Sequence, residues 1–476
     1  MKYKFIYIVL ALLAIQACSE KDLELFPEQS LSDESAFADA NAAQGVLFGT
    51  YNLLQDLHVF GSQPQIVSDY CTDNVNFVGS FPSLQEFNLY TVAASNSTVT
   101  EVWQDTYEAI LSSNAIIANV PNIEDPTLTE ERANSLIGEA HFIRAICYFL
   151  LADIYAQPYQ VESGNNLAVP LVTEPFTGEI ILYERATLNQ IHALIESDLL
   201  EAQALLPEVI AQGRASSIAA AALLSRLKLY RNEYAKAIEY ADVVMASSKY
   251  SMATDFTFYN RLSPEIIFSI ENTAIDFENQ GDEESGSGSW DDYYVGSTDG
   301  GRGDCPFSKD LMNAFEAEAG DRRYDLKEPG KTFSGEDAIF TTKYNDGVNN
   351  TSDPALIRYT EIMLNKAEAL AELNGVDAEA ISLLNMVRSR AGLESRTVAD
   401  FGSGSALVSA ILLERRKELA FEGHRRMDLL RKGLPLRTSS SVPASVKGSP
   451  GVNVTAGDPL AIWPVPQAER DVNPNL

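Results

Sequence analysis

Residues 138–159 read GEAHFIRAICYFLLADIYAQPY, and nearly every side of a helix drawn over residues 140–155 is apolar. Such a helix has to be wrapped by other helices, because no face of it can meet water without cost. Its few polar residues, Glu139, His141, Arg144 and Asp153, then sit near its ends or take partners from elsewhere in the fold. Gln157 and Pro158 end it, since proline lacks the backbone donor and disfavours a helical residue before it. The stretch predicts the central helix of an all-α core.

Working outward, residues 36–57 have helical apolar spacing at Ala43, Val46, Leu47, Tyr51 and Leu54, and residues 103–120 form a second amphipathic helix. Beyond the central helix, residues 187–206 predict another. Residues 213–247 predict two: Ala221, Leu224, Leu227 and Tyr230 lead through a polar turn to Tyr234, Ala237, Ile238 and Ala241. Small residues where two helices cross, with an aromatic at the turn, mark a tetratricopeptide-like hairpin. A second copy spans residues 364–390, with Ala367, Ala371 and Ala380 around an Asn374-Gly375 turn. Counting the helices at 103–120 and 140–155, about four such hairpins are expected. Between the two clear copies lie a β-prone run at 265–270 (EIIFSI), a Gly/Ser/Asp loop at 276–304 and a further strand at 338–344. Loops of that length inside a compact domain are usually functional or disordered. The expected class is mainly helical, all-α, with a helical-repeat region over 36–260 and a second region over 261–476 that carries the long loop.

With 45% hydrophobic residues in 476, the chain can bury a large core. Its formal charge is -32, and losing Lys2 and Lys4 with the leader would take it to -34. That charge repels nucleic-acid phosphates and anionic lipid, which argues against a nucleic-acid partner. Solubility is the plain account of it, and attraction of a cationic ligand the other. Residues 1–17 have a charged start, an eleven-residue apolar run at 5–15 and Ala17 before Cys18, the arrangement of a secretory signal. The run is too short to span a bilayer, which takes about 20 residues. Ile15-Gln16-Ala17-Cys18 resembles a bacterial lipobox, which implies cleavage before Cys18 and lipidation of its sulfur and freed amine. Two or more acyl chains anchor stably where one would not. An ordinary signal with Cys18 incidental is the alternative. Residues 18–35 would then be a lipid-anchored linker, and Glu20, Asp22 and Glu24 resemble a surface-export signal, so the outer face of the outer membrane is expected, with the inner leaflet as the alternative. Cys71, Cys147 and Cys305 cannot all pair, and no CxxC or closely spaced His/Cys set is present, which disfavours a structural zinc.

The central helix fits the pattern E-A-x-F-x-R-A-x-x-Y-F-x-L closed by a Y-x-x-P turn, through Glu139, Ala140, Phe142, Arg144, Ala145, Tyr148, Phe149, Leu151, Tyr155 and Pro158. Before it, Trp103, Tyr107, Ile110, Asn114 and Ile117 fit W-x-x-x-Y-x-x-I-x-x-x-N-x-x-I. After it come Asp321 and Arg323 (D-x-R), then Arg358, Glu361, Leu364, Ala367, Glu368 and Ala369 (R-x-x-E-x-x-L-x-x-A-E-A), and Arg388, Arg390, Ala391 and Gly392 (R-x-R-A-G). Glu414, Arg415, Glu418, Leu419, Glu422, Gly423, Arg425, Asp428 and Leu429 fit E-R-x-x-E-L-x-x-E-G-x-R-x-x-D-L. Trp463-Pro464-Val465-Pro466 and Asn473-Pro474-Asn475 close the chain, without the glutamine-asparagine extension that usually follows. In this order the motifs resemble the SusD/RagB family, the surface lipoproteins with which Bacteroidetes capture nutrients beside TonB-dependent transporters. The resemblance implies a lid on a TonB-dependent β-barrel that delivers oligosaccharide for import and does no bond chemistry. Some relatives bind peptides instead, and the acidic surface would suit basic ones.

The charged motif residues alternate in sign at three- and four-residue spacing, which suits pairing along and between helices better than an isolated catalytic acid or base. No HExxH, Walker loop or GxGxxG stands out, and among 67 acidic residues carboxylate pairs must occur by chance, so no enzyme is expected. A tetratricopeptide scaffold without a small ligand is the remaining alternative. Glycan binding needs exposed aromatic faces beside polar groups. Two loops offer them: Tyr70, Asp73, Asn74, Phe77 and Phe81 in one, Trp290, Asp292, Tyr293, Tyr294 and Arg302 in the other. Local packing is the competing account of each aromatic. Trp290 is the foremost ligand candidate, because Ser, Gly and Asp flank it and leave little to bury it. No cofactor is required; Asp282-Glu283-Glu284, or Asp346 and Asp353, would suit calcium, though neither has EF-hand spacing. Arg302-Gly303-Asp304 spells an adhesion tripeptide, for which chance suffices.

Overall fold

The computed structural model describes residues 33–211, 213–261, 263–273, 289–438 and 453–476. The leader, the lipobox with Cys18, the acidic run at 282–284 and the first part of the long loop lie outside the described residues.

The central helix is longer than its apolar run: α5, Glu130–Tyr155, begins ten residues before the predicted start, at a turn capped by Thr129, whose hydroxyl accepts from the Arg132 amide. Glu130 and Glu131 in its first turn complement the positive end of the helix dipole. Residues 130–137 are amphipathic and half-exposed, so they lack the signal that marks the buried part. From Gly138 onward nearly every side chain is buried, as an all-round apolar helix requires. By length and composition α5 is apolar enough to cross a membrane, but here protein covers it.

Before it come α1 (Ala40–Gln55), a π-type turn at Leu57–Gly61, α2 (Gln63–Tyr70), α3 (Pro82–Leu89) and α4 (Ser97–Asn119). After it come α6 (Leu188–Leu205), α7 (Ser217–Tyr230) and α8 (Tyr234–Ala246). Helix α5 lies between α4 and α6, and α7 lies between α6 and α8. The alanine run Ala219–Ala222 is fully buried, which lets these neighbours approach α7 closely. Further on are α9 (Trp290–Tyr294), α10 (Lys309–Glu316), α11 (Tyr359–Asn374), α12 (Ala378–Arg390), α13 (Gly404–Glu418), α14 (Arg425–Arg431) and α15 (Gln467–Val472). The hairpin α7–α8 docks on α11, and α11 in turn packs on α12 and α13, so one hydrophobic core runs through both halves of the chain.

Among the described residues, three two-stranded antiparallel sheets accompany the helices: β1 (Leu167–Pro170) with β2 (Arg185–Thr187), β3 (Ile266–Ser269) with β6 (Ala355–Arg358), and β4 (Lys327–Lys331) with β5 (Asp337–Thr341). The runs at 265–270 and 338–344 are indeed strands. Their partners escape the alternation signal, because β4 (KEPGK) carries Pro and Gly, and β6 (ALIR) is wholly buried and runs straight into α11.

The alternating charges form a buried lattice. Arg358 reaches Glu265 (3.1 Å), Glu418 (2.7 Å) and Glu422 (2.7 Å), and Arg390 reaches Glu418 (2.5 Å). Arg323 pairs with Asp321 (2.7 Å) and Glu414 (2.6 Å), and Arg388 with Glu414 (3.2 Å). Arg415 pairs with Asp428 (2.7 Å), Arg431 with Glu368 (2.5 Å), and Arg226 with Glu361 (2.6 Å). Burial alone would raise these carboxyls; at Glu418 the guanidinium groups of Arg390, Arg358 and Arg323 outweigh it and hold the group well below the usual carboxylate range. On the central helix, Arg144 binds Asp198 (2.7 Å) and Glu139 takes Arg214 (2.5 Å).

Candidate functional site

The two loops singled out by composition are joined in space. The segment after α2 runs beside residues 304–308: the Asn76 amide donates to Pro306 O (3.1 Å), Val78 N to Asp304 O (2.9 Å) and Ser308 N to Asn74 O (3.0 Å), around an isolated Val75–Phe307 bridge. Gly79 permits the approach, since a Cβ there would lie 2.5 Å from an oxygen of the Asp304 carboxylate.

Most of the expected ligand residues are buried, which corrects the expectation that they stand free. Trp290 is 1% exposed; its indole Nε1 donates to Phe60 O (3.2 Å), and its ring lies against Tyr294 and Tyr344. The Tyr293 hydroxyl accepts from Gln63 (3.0 Å), and the Tyr294 hydroxyl donates to Asp69 (2.8 Å). Tyr70 faces Cys305 Sγ (3.3 Å) and packs on Phe77, and all three are buried, as are Tyr293 and Tyr294. Asn74 accepts from Arg416 Nε (2.9 Å), and Asp73 takes both nitrogens of the Arg425 fork at 2.8 Å. Polar neighbours in sequence did not keep Trp290 exposed, because remote segments supply its cover.

Phe81 remains at the surface, and Arg302 is partly buried beside it. Phe81 is 50% exposed, and the Arg302 guanidinium stacks 4.1 Å from its centroid, with the Tyr293 ring 4.8 Å away from the same group. Arg302 Nε donates to Asp304 (2.8 Å), and Asp292 lies 3.8 Å off. Among the described residues no group accepts from the two terminal nitrogens of Arg302, so a planar donor fork is held between aromatic rings with its outer atoms unspent. Burial would lower Arg302, but Tyr293, Asp304 and Asp292 outweigh it and hold its guanidinium above its ordinary value. Asp304 itself is pushed up by burial, against the pull of Arg302.

A third element escaped the sequence reading. The turn between β4 and β5 presents Phe333, 58% exposed, whose amide donates to Gly303 O (3.2 Å) next to Arg302. Gly303 has φ +69, and a Cβ there would meet Lys331 O at 2.6 Å, so glycine alone allows the turn to come this close. A large aromatic inside the polar turn Thr332-Phe333-Ser334-Gly335 was the signal available. The Phe81–Arg302 pair, with the exposed Phe333 on the turn bonded to Gly303, offers apolar faces, donors with no acceptor among the described residues and flanking carboxylates; this Phe81–Arg302–Phe333 strip has the chemistry that suits C–H faces and hydroxyls of a sugar.

At the turn considered for calcium, Asp346 accepts from the Asn349 amide (3.2 Å), its side-chain nitrogen (2.9 Å) and Thr351, while Asp353 accepts from the Asn272 amide (2.7 Å). Among the described residues, one other group has ligand-like spacing, Asp56, His58 and Asp105. His58 donates to Asp105 (3.0 Å) and Glu101 (3.0 Å); burial would lower it, but the three carboxylates raise it to about 11, so it is a cation that satisfies them.

Two family models match the chain: one described as the SusD family, over residues 329–476, and one described as starch-binding and associating with the outer membrane, over residues 26–229. SusD-like protein P2 of Formosa agariphila is 26% identical, with 99% of this chain and 98% of that protein covered. Among solved structures, a SusD superfamily protein from Bacteroides thetaiotaomicron has a TM-score of 0.83 at 24% identity, covering 92% of this chain and 98% of its own. A Bacteroides vulgatus protein provisionally designated sugar binding has a TM-score of 0.80 at 25% identity, covering 93% and 98%.

Proposed function

Since the chain belongs to the SusD/RagB family, whose members bind carbohydrate and associate with the outer membrane, we propose that it is a cell-surface lipoprotein that captures an oligosaccharide and passes it to a TonB-dependent transporter. Lipid on Cys18 holds it at the outer membrane. The glycan lies on the Phe81–Arg302–Phe333 strip, its ring faces on the two phenylalanines and its hydroxyls on the Arg302 fork. The observation that carries this reading is the exposed Phe81 ring stacked on an arginine whose terminal nitrogens have no acceptor among the described residues. The protein performs no bond chemistry; it binds and releases.

Calorimetric titration of the soluble chain, begun after Cys18, against neutral oligosaccharides and basic peptides tests it. Heat with one glycan class, with the glycan recovered intact, is the expected result. Phe81→Ala is expected to weaken that binding by about 1 kcal/mol or more, roughly five-fold upward, from the loss of one stacking face. Silence with every glycan and heat with peptides would replace the carbohydrate reading with peptide capture, for which the net charge of -32 is the supporting observation.

A further inference from the structure

Four large apolar side chains stand exposed within seven residues of the connection from β1 to β2: Phe176 (61%), Ile180 (86%), Ile181 (57%) and Leu182 (45%). Beside them a cleft of about 490 Å³ opens, floored by Tyr107, Leu111 and Val172. A cluster of this kind on a protein that otherwise buries its core marks a contact surface.

The connection has no helix or strand of its own, yet it is tied down at both ends. Asn114 Nδ2 donates to Val172 O and Glu174 O (both 3.1 Å), the Tyr148 hydroxyl accepts from the Val172 amide (2.7 Å), and Arg144 reaches Thr173 O (3.4 Å). At the far end Asn473 and Asn475 donate to Tyr183 O (2.8 Å) and Leu182 O (2.9 Å). Three polar groups of the central helix pair are thus spent on presenting this tip, and a surface ordered in advance loses little entropy on contact.

The rim decides what fits. The charges of residues 171–184 are Glu174, Glu179 and Glu184, and the following Arg185 turns its guanidinium back onto Ala168 O and Leu167 O. In a self-complementary contact, a second copy would set glutamates against glutamates, and an anionic lipid surface would repel them too. We propose that this tip docks an integral outer-membrane protein whose contact patch is apolar, rimmed by Lys or Arg, and places one large apolar side chain in the cleft. The inference rests on the reading that the chain works beside an outer-membrane transporter, and it assigns the surface that reading leaves open.

The test compares the full lipidated chain with Ile180→Asp/Ile181→Asp and with Glu179→Lys, each captured from detergent-solubilised outer membranes of the source bacterium. In parallel, Ile180→Cys is labelled with benzophenone; the described cysteines Cys71, Cys147 and Cys305 are all buried, which directs the label. The expected result is a photo-adduct to a β-barrel peptide bearing an apolar residue near Lys or Arg. Retention of that barrel should fall about ten-fold in the double variant, and it should fall in Glu179→Lys and with added salt. Circular dichroism and glycan affinity should not change. An adduct to lipid or to a second copy overturns the proposal. A barrel held equally by wild type and double variant overturns this surface alone, whereas no barrel with the wild type overturns the transporter reading as well.

Discussion

Truncating Trp290 to alanine separates a residue that builds the candidate site from one that touches ligand. The indole is 1% exposed, lies 5.1 Å from Tyr344 and 6.2 Å from Tyr294 between ring centroids, and donates to Phe60 O. Loss of a buried tryptophan costs about 3–5 kcal/mol in transfer and cavity energy. The orphaned carbonyl of Phe60 adds about 1 kcal/mol. A fall of about 4–6 kcal/mol in unfolding free energy is therefore expected, read from urea transitions with unchanged slope. Phe81→Ala should do the opposite: its ring is half exposed, so stability should fall by less than about 1 kcal/mol while glycan affinity drops. Calorimetry on both variants at a temperature where each is folded gives the second axis. If Trp290→Ala abolished binding and left the urea midpoint in place, the ring would lie on the ligand, and the burial argument would be refuted.

Three further outcomes follow from the same geometry. The carboxyls of Glu418, Glu422 and Asp428 stay low in the folded state because, against their burial, neighbouring guanidinium and ammonium groups prevail. Folding thus favours their ionised forms, so this stabilisation is complete above about pH 4.5 and is lost as pH falls through the folded values; urea midpoints at pH 7 and pH 3 check it, and Glu418→Gln, which takes one carboxylate from Arg358 and Arg390 while Glu265 still faces both, should lower the midpoint at neutral pH and narrow the gap between the two pH values. Asp153 has the reverse sign: burial, opposed by Arg426 and Arg226, raises it to about 7, so stability is lost as pH rises from the unfolded value toward 7. Asp153→Asn should therefore gain stability relative to wild type above pH 7 and gain none in acid, as seen in melting temperature across pH. Gly79→Ala would bring a Cβ to 2.5 Å from the Asp304 carboxylate and displace it from Arg302, so glycan affinity should fall more than the melting temperature, measured by calorimetry and thermal unfolding.

The helical frame was legible because helix periodicity is local. The run at 138–155 marks a helix wrapped on all sides, and the small residues of 219–241 and 367–380 mark where helices cross; both needed only residues a turn or two apart. The polar start of α5 was missed, since residues 130–137 carry no apolar run, and β4 and β6 were missed because strand pairing is settled by a remote partner. Of the aromatics that composition singled out in the two loops, Phe81 is half exposed, whereas Trp290, Tyr293, Tyr294, Tyr70 and Phe77 from the same list are core.

The sequence by itself determined that this is a helical-repeat protein with many paired charges, and its motifs placed it in its family, because residue type and short spacing carry that information directly. The tertiary structure alone decided which aromatics meet solvent. Trp290 is covered by Phe60, 230 residues away in sequence, while Phe81 and Phe333 are left exposed beside the close backbone approaches that Gly79 and Gly303 allow. Exposure is a property of everything that packs around a side chain, and for loop residues those neighbours come from parts of the chain that local composition does not reach.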